Sequence, residues 1–256
     1  GESVLKLVVN DTTIPNNDSN TFRNHRVYFP KENLKEGENN VVIRFVSNYV
    51  RDCQGIQYFK DKEDNEEYLY SQHEAADAHK AFPCFDQPDM KAPYKLTALV
   101  PHGWVALSTM YCEKEVSTNG SKEYSESLKD LDLDEKEFTE LFKGEKVSCY
   151  DFGVSPKISV YLYSIVAGPY DLHESTNQEV KDYKVPMRFY CRKSLSKFLE
   201  PIKEDYFWVS KCGIDFYEEL FSTEYPWGKL DQVWVPDYNM GAMENVGCVI
   251  YRDDYI

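Results

Sequence analysis

Apolar and aromatic residues recur at every second position through most of the first 170 residues, and a period of two commits a chain to sheet before any other feature is read. Val4-Leu5-Lys6-Leu7-Val8-Val9 and Asn40-Val41-Val42-Ile43-Arg44-Phe45-Val46 predict strands, set apart by Asn, Asp, Pro and Gly punctuation. Asp61 to Glu67 predicts a charged turn. Tyr94 to Val100 and Trp104 to Ser108 resume the alternation on either side of Pro101 and Gly103. The run from Ile158 to Val166 is long enough to predict one well-buried strand, and another is expected at Val185 to Cys191.

The period then changes. Phe198, Ile202, Tyr206, Val209, Gly213, Phe216 and Leu220 fall at three- and four-residue steps, which predicts a long amphipathic helix from Ser196 to Phe221 with those residues on its apolar face. Tyr225-Pro226-Trp227-Gly228 breaks it, Gln232 to Val235 predicts a strand, and Gly241-Ala242-Met243-Glu244-Asn245 predicts a turn before a strand at Gly247 to Tyr251. The architecture is therefore expected to switch near residue 183. Between Glu113 and Lys146 the chain carries eleven acidic and six basic residues, with no aromatic before Tyr124. That composition predicts a surface insertion, in which Leu128, Leu131, Glu135, Phe138, Leu141 and Phe142 suggest a short helix packed on its own domain.

Composition limits the function classes. An apolar content of 42% with 15% aromatic residues supplies packed cores. A net charge of −15 without any Lys or Arg cluster argues against nucleic-acid binding, and such acidity reads first as a solvated surface that aids solubility, with attraction of cationic partners such as peptide N-termini as the second reading. Seven dispersed cysteines without a C-x-x-C pair indicate neither a zinc ribbon nor a dithiol redox motif and suit a reducing compartment. Against that stand glycosylation tripeptides at Asn10, Asn17 and Asn119, so a cytoplasmic location is the first expectation and an anchored ectodomain or secreted protein the second. No stretch is long and apolar enough to predict a membrane span, and no targeting pattern opens the sequence, although a signal or anchor further upstream is compatible with it.

Two carboxylates stand out. Glu244 follows three small or apolar residues, Gly241, Ala242 and Met243, that let a ligand backbone approach closely, although on the pattern alone an ordinary hairpin with a solvated glutamate is the better reading. Glu74 sits in Ser71-Gln72-His73-Glu74, ahead of the rigid run Ala81-Phe82-Pro83-Cys84-Phe85-Asp86-Gln87-Pro88. Its bland reading has Asp86 capping a turn and Gln72 or Glu74 merely exposed. His73-Glu74 does not make a metal pair, because Asp77 stands where a second histidine on one helix face belongs. No G-x-S-x-G elbow or phosphate-binding loop is present.

Taken together, Gln72-His73-Glu74, Ala81 to Pro88 and Gly241 to Asn245 resemble the aminopeptidase N and puromycin-sensitive aminopeptidase family of zinc metallopeptidases in order and separation. Tyr225-Pro226 with Lys229-Leu230-Asp231, and Pro156 to Leu162 with Gly168, also match family segments. Departures are His79-Lys80, Gln87 and Ser71, where the family commonly has other residues. The resemblance implies a mostly β fold: a β-saddle domain at 1–183 lacking its first strands, with the 113–146 segment inserted in a hairpin, then an α+β start of a thermolysin-like catalytic domain at 184–256.

By the same resemblance, Glu74 and Glu244 hold the free amino group of a peptide, Gln72 lines the first specificity pocket, and Gly241 and Ala242 offer backbone hydrogen bonds within a substrate-binding set that includes Met243 and Asn245. Zinc is the implied cofactor, with its ligands expected beyond Ile256 and none in this segment. The segment alone would then be inert and its partners peptides with a free N-terminus. A non-catalytic scaffold relative and a plain β-rich interaction module are the competing readings.

Overall fold

The computed structural model describes residues 3–15, 21–116, 135–143 and 145–256. Most of the predicted alternation becomes strand. The earlier strands are β1 (Ser3–Val9), β2 (Thr12–Thr13), β3 (Phe22–Arg23), β4 (Arg26–Val27), β5 (Val41–Val46), β6 (Gly55–Lys60), β7 (Glu67–Gln72), β8 (Thr97–Pro101), β9 (Val105–Ser108), β10 (Cys112–Val116), β11 (Val147–Phe152) and β12 (Ile165–Gly168). They are followed by β13 (Asp171–His173), β14 (Met187–Cys191), β15 (Leu230–Val235), β16 (Ala242–Met243) and β17 (Cys248–Arg252).

Two sheets position the site. One has four strands in the order β6-β7-β12-β9, so β7 is interior and its Tyr68 and Tyr70 are fully buried. The charged turn Asp61 to Glu66 closes the β6–β7 hairpin, with the Asp61 N–H donating to the Glu66 carbonyl. The other has five strands in the order β13-β14-β15-β17-β16, parallel across β14, β15 and β17 and antiparallel at both edges. Its β13 pairs with β14 across residue 183.

The five-stranded sheet is buried on both faces, as its parallel centre requires. Val233 and Val235 of β15 and Cys248 and Ile250 of β17 turn to a core shared with Tyr68, Tyr70, Leu107 and Val166 of the four-stranded sheet. On the other face Phe189, Cys191 and Trp234 pack against Leu199, Phe207 and Ile214. The Phe189 and Phe207 rings stack at 3.8 Å. The alternation of Gln232 and Trp234 toward the helix with Asp231, Val233 and Val235 away from it follows from the two-residue period of a strand.

Three predicted elements differ, the first being the turn expected at Gly241 to Asn245, where Ala242–Met243 is a short edge strand antiparallel to β17. The stretch Ile158 to Val166 is not one strand: a 3₁₀ turn spans Val160–Leu162 and the strand begins only at Ile165. Ser159 Oγ donates to the Pro88 carbonyl at 2.5 Å and the Leu162 N–H to the Ser159 carbonyl, so the backbone folds back while its apolar side chains stay buried. The predicted helix from Ser196 is also divided, into Ser196–Leu199 and Lys203–Phe221, because Pro201 has no N–H to give to an intervening turn. Its buried side is Lys203, Phe207 and Ile214, whereas Val209, Phe216 and Leu220 of the predicted face are exposed.

The acidic insertion predicted at 113–146 starts later than expected, since Glu113 to Val116 belong to β10, which pairs with β11 on its far side. Its helix Glu135–Phe142 buries Phe138 among Val116, Val147 and Cys149, but Leu128 and Leu131 lie outside the described residues. Asn17 and Asn119 of the glycosylation tripeptides also lie outside them. No helix among the described residues is long and apolar enough to cross a membrane.

Candidate functional site

The C-terminal end of β7 brings Ser71, Gln72 and His73 inside and lets the chain emerge at Glu74, whose bond to Ala75 is a cis peptide. Ser71 Oγ accepts the Ile165 N–H at 2.9 Å, extending the grip of β12 on β7 past the paired residues Leu69 and Tyr70. His73 points the other way into packing: Nδ1 donates to the Tyr163 carbonyl at 3.1 Å, and its ring meets Phe82 edge-on. Burial pushes its pKa down to about 4, so it is neutral near pH 7.

The rigid run after Glu74 is anchored by polar contacts. Asp86 Oδ2 accepts both the His79 N–H and the His79 ring at 3.0 and 2.6 Å, so the aspartate does cap the turn. Lys80 Nζ pairs with Asp77 Oδ1 at 2.9 Å, and Ser47 Oγ donates to the Lys80 carbonyl at 2.5 Å. These contacts hold the segment that follows Glu74 against β6.

Glu244 arrives from the other sheet. Met243 is buried in the shared core while Gly241, Ala242 and Glu244 are exposed, so β16 forms one edge of the five-stranded sheet with its motif at the surface. Ala242 and Met243 pair with Tyr251 and Ile250 on their inner side, and Gly241 O accepts the Arg252 N–H. The outer edge of this strand is where an extended peptide would find backbone hydrogen-bonding groups. A Cβ on Gly241 would come within 2.9 Å of the Tyr255 hydroxyl. Asn245 is buried, and neither side-chain amide atom has a partner.

The loop between β15 and β16 ties the two carboxylates together. Tyr70 Oη donates to the Pro236 carbonyl at 2.9 Å, and the Cys53 thiol lies 3.6 Å from the Asp237 carbonyl. The next residue but one, Tyr238, donates its hydroxyl to Gln72 Oε1 at 2.5 Å. Burial first, then the charges of Cys53, Glu74 and Glu244, hold the Tyr238 phenol well above its ordinary value. Tyr238, on the loop that leads to the Glu244 motif, is thus bonded to Gln72 of the four-stranded sheet, two residues before Glu74 in sequence. Among the described residues neither carboxylate has a hydrogen-bond or ion-pair partner.

The structure thus brings Gln72 and Met243 together with Tyr238 in the buried seam between the sheets, leaves Glu74 and Glu244 exposed just past the ends of β7 and β16, sets Gly241 and Ala242 on the β16 edge and buries Asn245. Tyr238 is the residue that the sequence reading missed. Its one signal was an aromatic between Asp237 and Asn239 in an otherwise polar turn. Among the described residues no group of three or more His, Cys, Asp or Glu side chains could hold a metal ion, so these residues do not fit a zinc site.

Residues 7–129 match the model of the peptidase M1 N-terminal domain and residues 208–256 that of the peptidase family M1 domain. Aminopeptidase N of Streptomyces lividans is 31% identical across the whole chain, which covers 26% of that protein. Glutamyl aminopeptidase of Rattus norvegicus is 32% identical over 71% of the chain and 16% of its own length. Aminopeptidase M1 of Arabidopsis thaliana is 30% identical over 86% of the chain and 21% of its own length. The chain spans about a quarter or less of these relatives.

Proposed function

This chain belongs to the peptidase M1 family, and from that premise we propose that it supplies the amine-binding site and first specificity pocket of a zinc-dependent aminopeptidase. The observation that carries the reading is a pair of exposed carboxylates without hydrogen-bond or ion-pair partners among the described residues, Glu74 past the end of β7 and Glu244 past β16, whose segments are tied together by the bond from Tyr238 to Gln72. A peptide ammonium offers three N–H donors and the positive charge that such carboxylates would take up. Holding the ammonium there fixes the first peptide bond at a constant distance from the site, which selects removal of one N-terminal residue over internal cleavage.

The rest of the division of labour follows. The outer edge of β16 at Gly241 and Ala242 would pair with the substrate backbone, Gln72 and Met243 would face the first side chain, and Asn245 would brace the motif from below. Zinc, when bound by residues outside those described here, would supply Lewis-acid polarisation and an activated water. This chain's own residues bind, orient and select.

The test uses the full-length protein loaded with zinc and a pair of leucine reporter substrates, one with a free amine and one N-acetylated. Glu244→Gln is expected to lower kcat/KM for the free amine by about 100-fold, the scale set by losing one partner of a buried charge contact, while leaving the acetylated substrate as poor as before. Wild-type cleavage by the Glu244→Gln protein would sink the assignment. Absence of any zinc-dependent cleavage would favour the scaffold reading.

A further inference from the structure

A second cluster of polar side chains gathers on His173, at the end of β13. The histidine is buried, yet three side chains reach its ring: Glu200 Oε2 lies 2.8 Å from Nδ1, Ser196 Oγ 3.0 Å from Nε2 and Cys191 Sγ 3.6 Å from Nε2. An ionised carboxylate can only accept, so the neutral ring carries its proton on Nδ1 and turns the Nε2 lone pair toward the other two groups. Lys203 Nζ, 2.6 Å from the second Glu200 oxygen, and then His173 hold that carboxyl below its usual range, which keeps it ionised near pH 7.

The short helix Ser196–Leu199 sets the geometry. Ser196 and Glu200 are one turn apart and face the same side, with the Ser196 N–H donating to the Lys193 carbonyl and the Glu200 N–H to the Ser196 carbonyl. Burial separates the two groups on Nε2. Cys191 is fully enclosed and its thiol is pushed up to about 12, so it stays protonated, whereas Ser196 is half-buried and can be reached. A hydroxyl bonded to a histidine that a carboxylate orients is the arrangement of an activated serine, which is identified by geometry and not by sequence position. The cluster lies on the helix side of the five-stranded sheet, where Cys191 and Leu199 pack, whereas Tyr70 and Tyr238 lie in the core on the other face.

We propose that Ser196 is an acyl-accepting nucleophile that takes small acyl groups from activated esters, with His173 as its base and Glu200 positioning that base. Ser196 Oγ bonds to the carbonyl carbon as its proton passes to His173 Nε2. The bond from that carbon to the leaving oxygen then breaks, and the leaving oxygen takes the proton from Nε2. Glu200 retains the Nδ1 hydrogen bond throughout and offsets the charge of the transient imidazolium. The helix that begins at Ser196 is too short to build an anion site, so the ester must bring its own activation.

The experiment exposes the full-length protein to p-nitrophenyl acetate and follows, by peptide mass mapping, the rate at which acetyl appears on Ser196. Peptide cleavage does not enter this readout, so it stands apart from the amine-binding function proposed above. His173→Gln is expected to slow the acetylation of Ser196 about 100-fold, the lower end of what a positioned base contributes. Glu200→Gln should slow it as well, because an amide there can donate to Nδ1 and move the ring proton to Nε2. Glu200 is exposed, so this variant carries the test should His173→Gln not fold. A histidine that only ties β13 to the helix would leave Ser196 acetylated equally fast in the folded variants, and that result overturns the proposal. So does a wild-type map in which Ser196 is acetylated no faster than the exposed Ser222.

Discussion

At the scale of single residues the chain stores pH dependence beside its site. His73 is buried between Gln72 and Glu74, with Nδ1 bonded to the Tyr163 carbonyl and Nε2 without a partner. Its folded pKa of about 4 lies below the ordinary value of 6.5. Between those values the unfolded chain binds a proton that the folded chain does not, so stability from this group rises with pH across the window. It is complete above about 6.5 and is lost as pH falls toward 4. Urea unfolding at pH 5, 6 and 7 should show a loss of about 1 kcal/mol per unit on acidification that disappears in His73→Gln. An unchanged slope in the variant would remove His73 from the account. The same residues show what sequence can and cannot reveal. Gln72 and Glu74 and the 241–245 motif stand out through local patterns, whereas the bond from Tyr238 to Gln72 joins positions 166 residues apart that no local pattern links.

Elements reveal a different boundary. The long helix carries apolar residues on two sides: Phe207 and Ile214 on one, Val209, Phe216 and Leu220 on another. Periodicity established that a helix is there, but only the position of Phe189 and Trp234 beneath it decides which stripe is covered. The run Ile158 to Val166 failed for a related reason, since buried side chains can line a folded-back backbone as well as a strand. Lys229 is the strongest case. Read as sequence it is a lysine after a turn, yet it is fully enclosed, with Nζ donating to Asp231 Oδ2, Ser108 O and Gly247 O at 2.7, 2.9 and 2.7 Å. Asp231 is held in turn by a two-pronged bond from Arg188. Gly247 has φ of +65°, and a Cβ there would lie 2.4 Å from the Thr109 carbonyl, so β9, β15 and the segment leading out of the 241–245 motif meet with no room to spare. Replacing Lys229 by Met would take a buried charged donor from the Ser108 and Gly247 carbonyls and from Asp231, leaving the Gly247 carbonyl only the Asp231 N–H and the aspartate only Arg188. A loss of about 3 kcal/mol in unfolding free energy is expected by urea titration, against less than 0.5 kcal/mol for the exposed Lys157→Met.

For the molecule as a whole, the question is what keeps two sheets in one register so that carboxylates from each can face a common ligand. The shared apolar core supplies attraction but little direction, because burial is indifferent to small slides. Direction comes from Arg192 at the end of β14. Its Nη1 donates to Asp61 Oδ2 in the β6–β7 turn at 2.9 Å and its Nε to Asp253 Oδ2 after β17 at 2.7 Å, so one guanidinium spans both sheets. Burial pushes Asp61 upward, but hydrogen bonds from Ser194, the Glu63 N–H and Arg192 outweigh it and leave the carboxyl below its usual range. Burial dominates at Asp253 and leaves that carboxyl raised despite the arginine. Removing the cation in Arg192→Gln strands two largely buried carboxylates, for which we expect a loss of about 3 kcal/mol at pH 8. Without the guanidinium both folded-state pKa values should climb above those of the unfolded chain. Their destabilising effect is then fully felt at high pH and relieved as pH falls through the raised values and protons bind. The deficit between variant and wild type, measured by urea unfolding, should accordingly be smaller at pH 5 than at pH 8. A deficit independent of pH would mean that Arg192 acts through packing of its aliphatic stem and not as the charge that aligns the sheets.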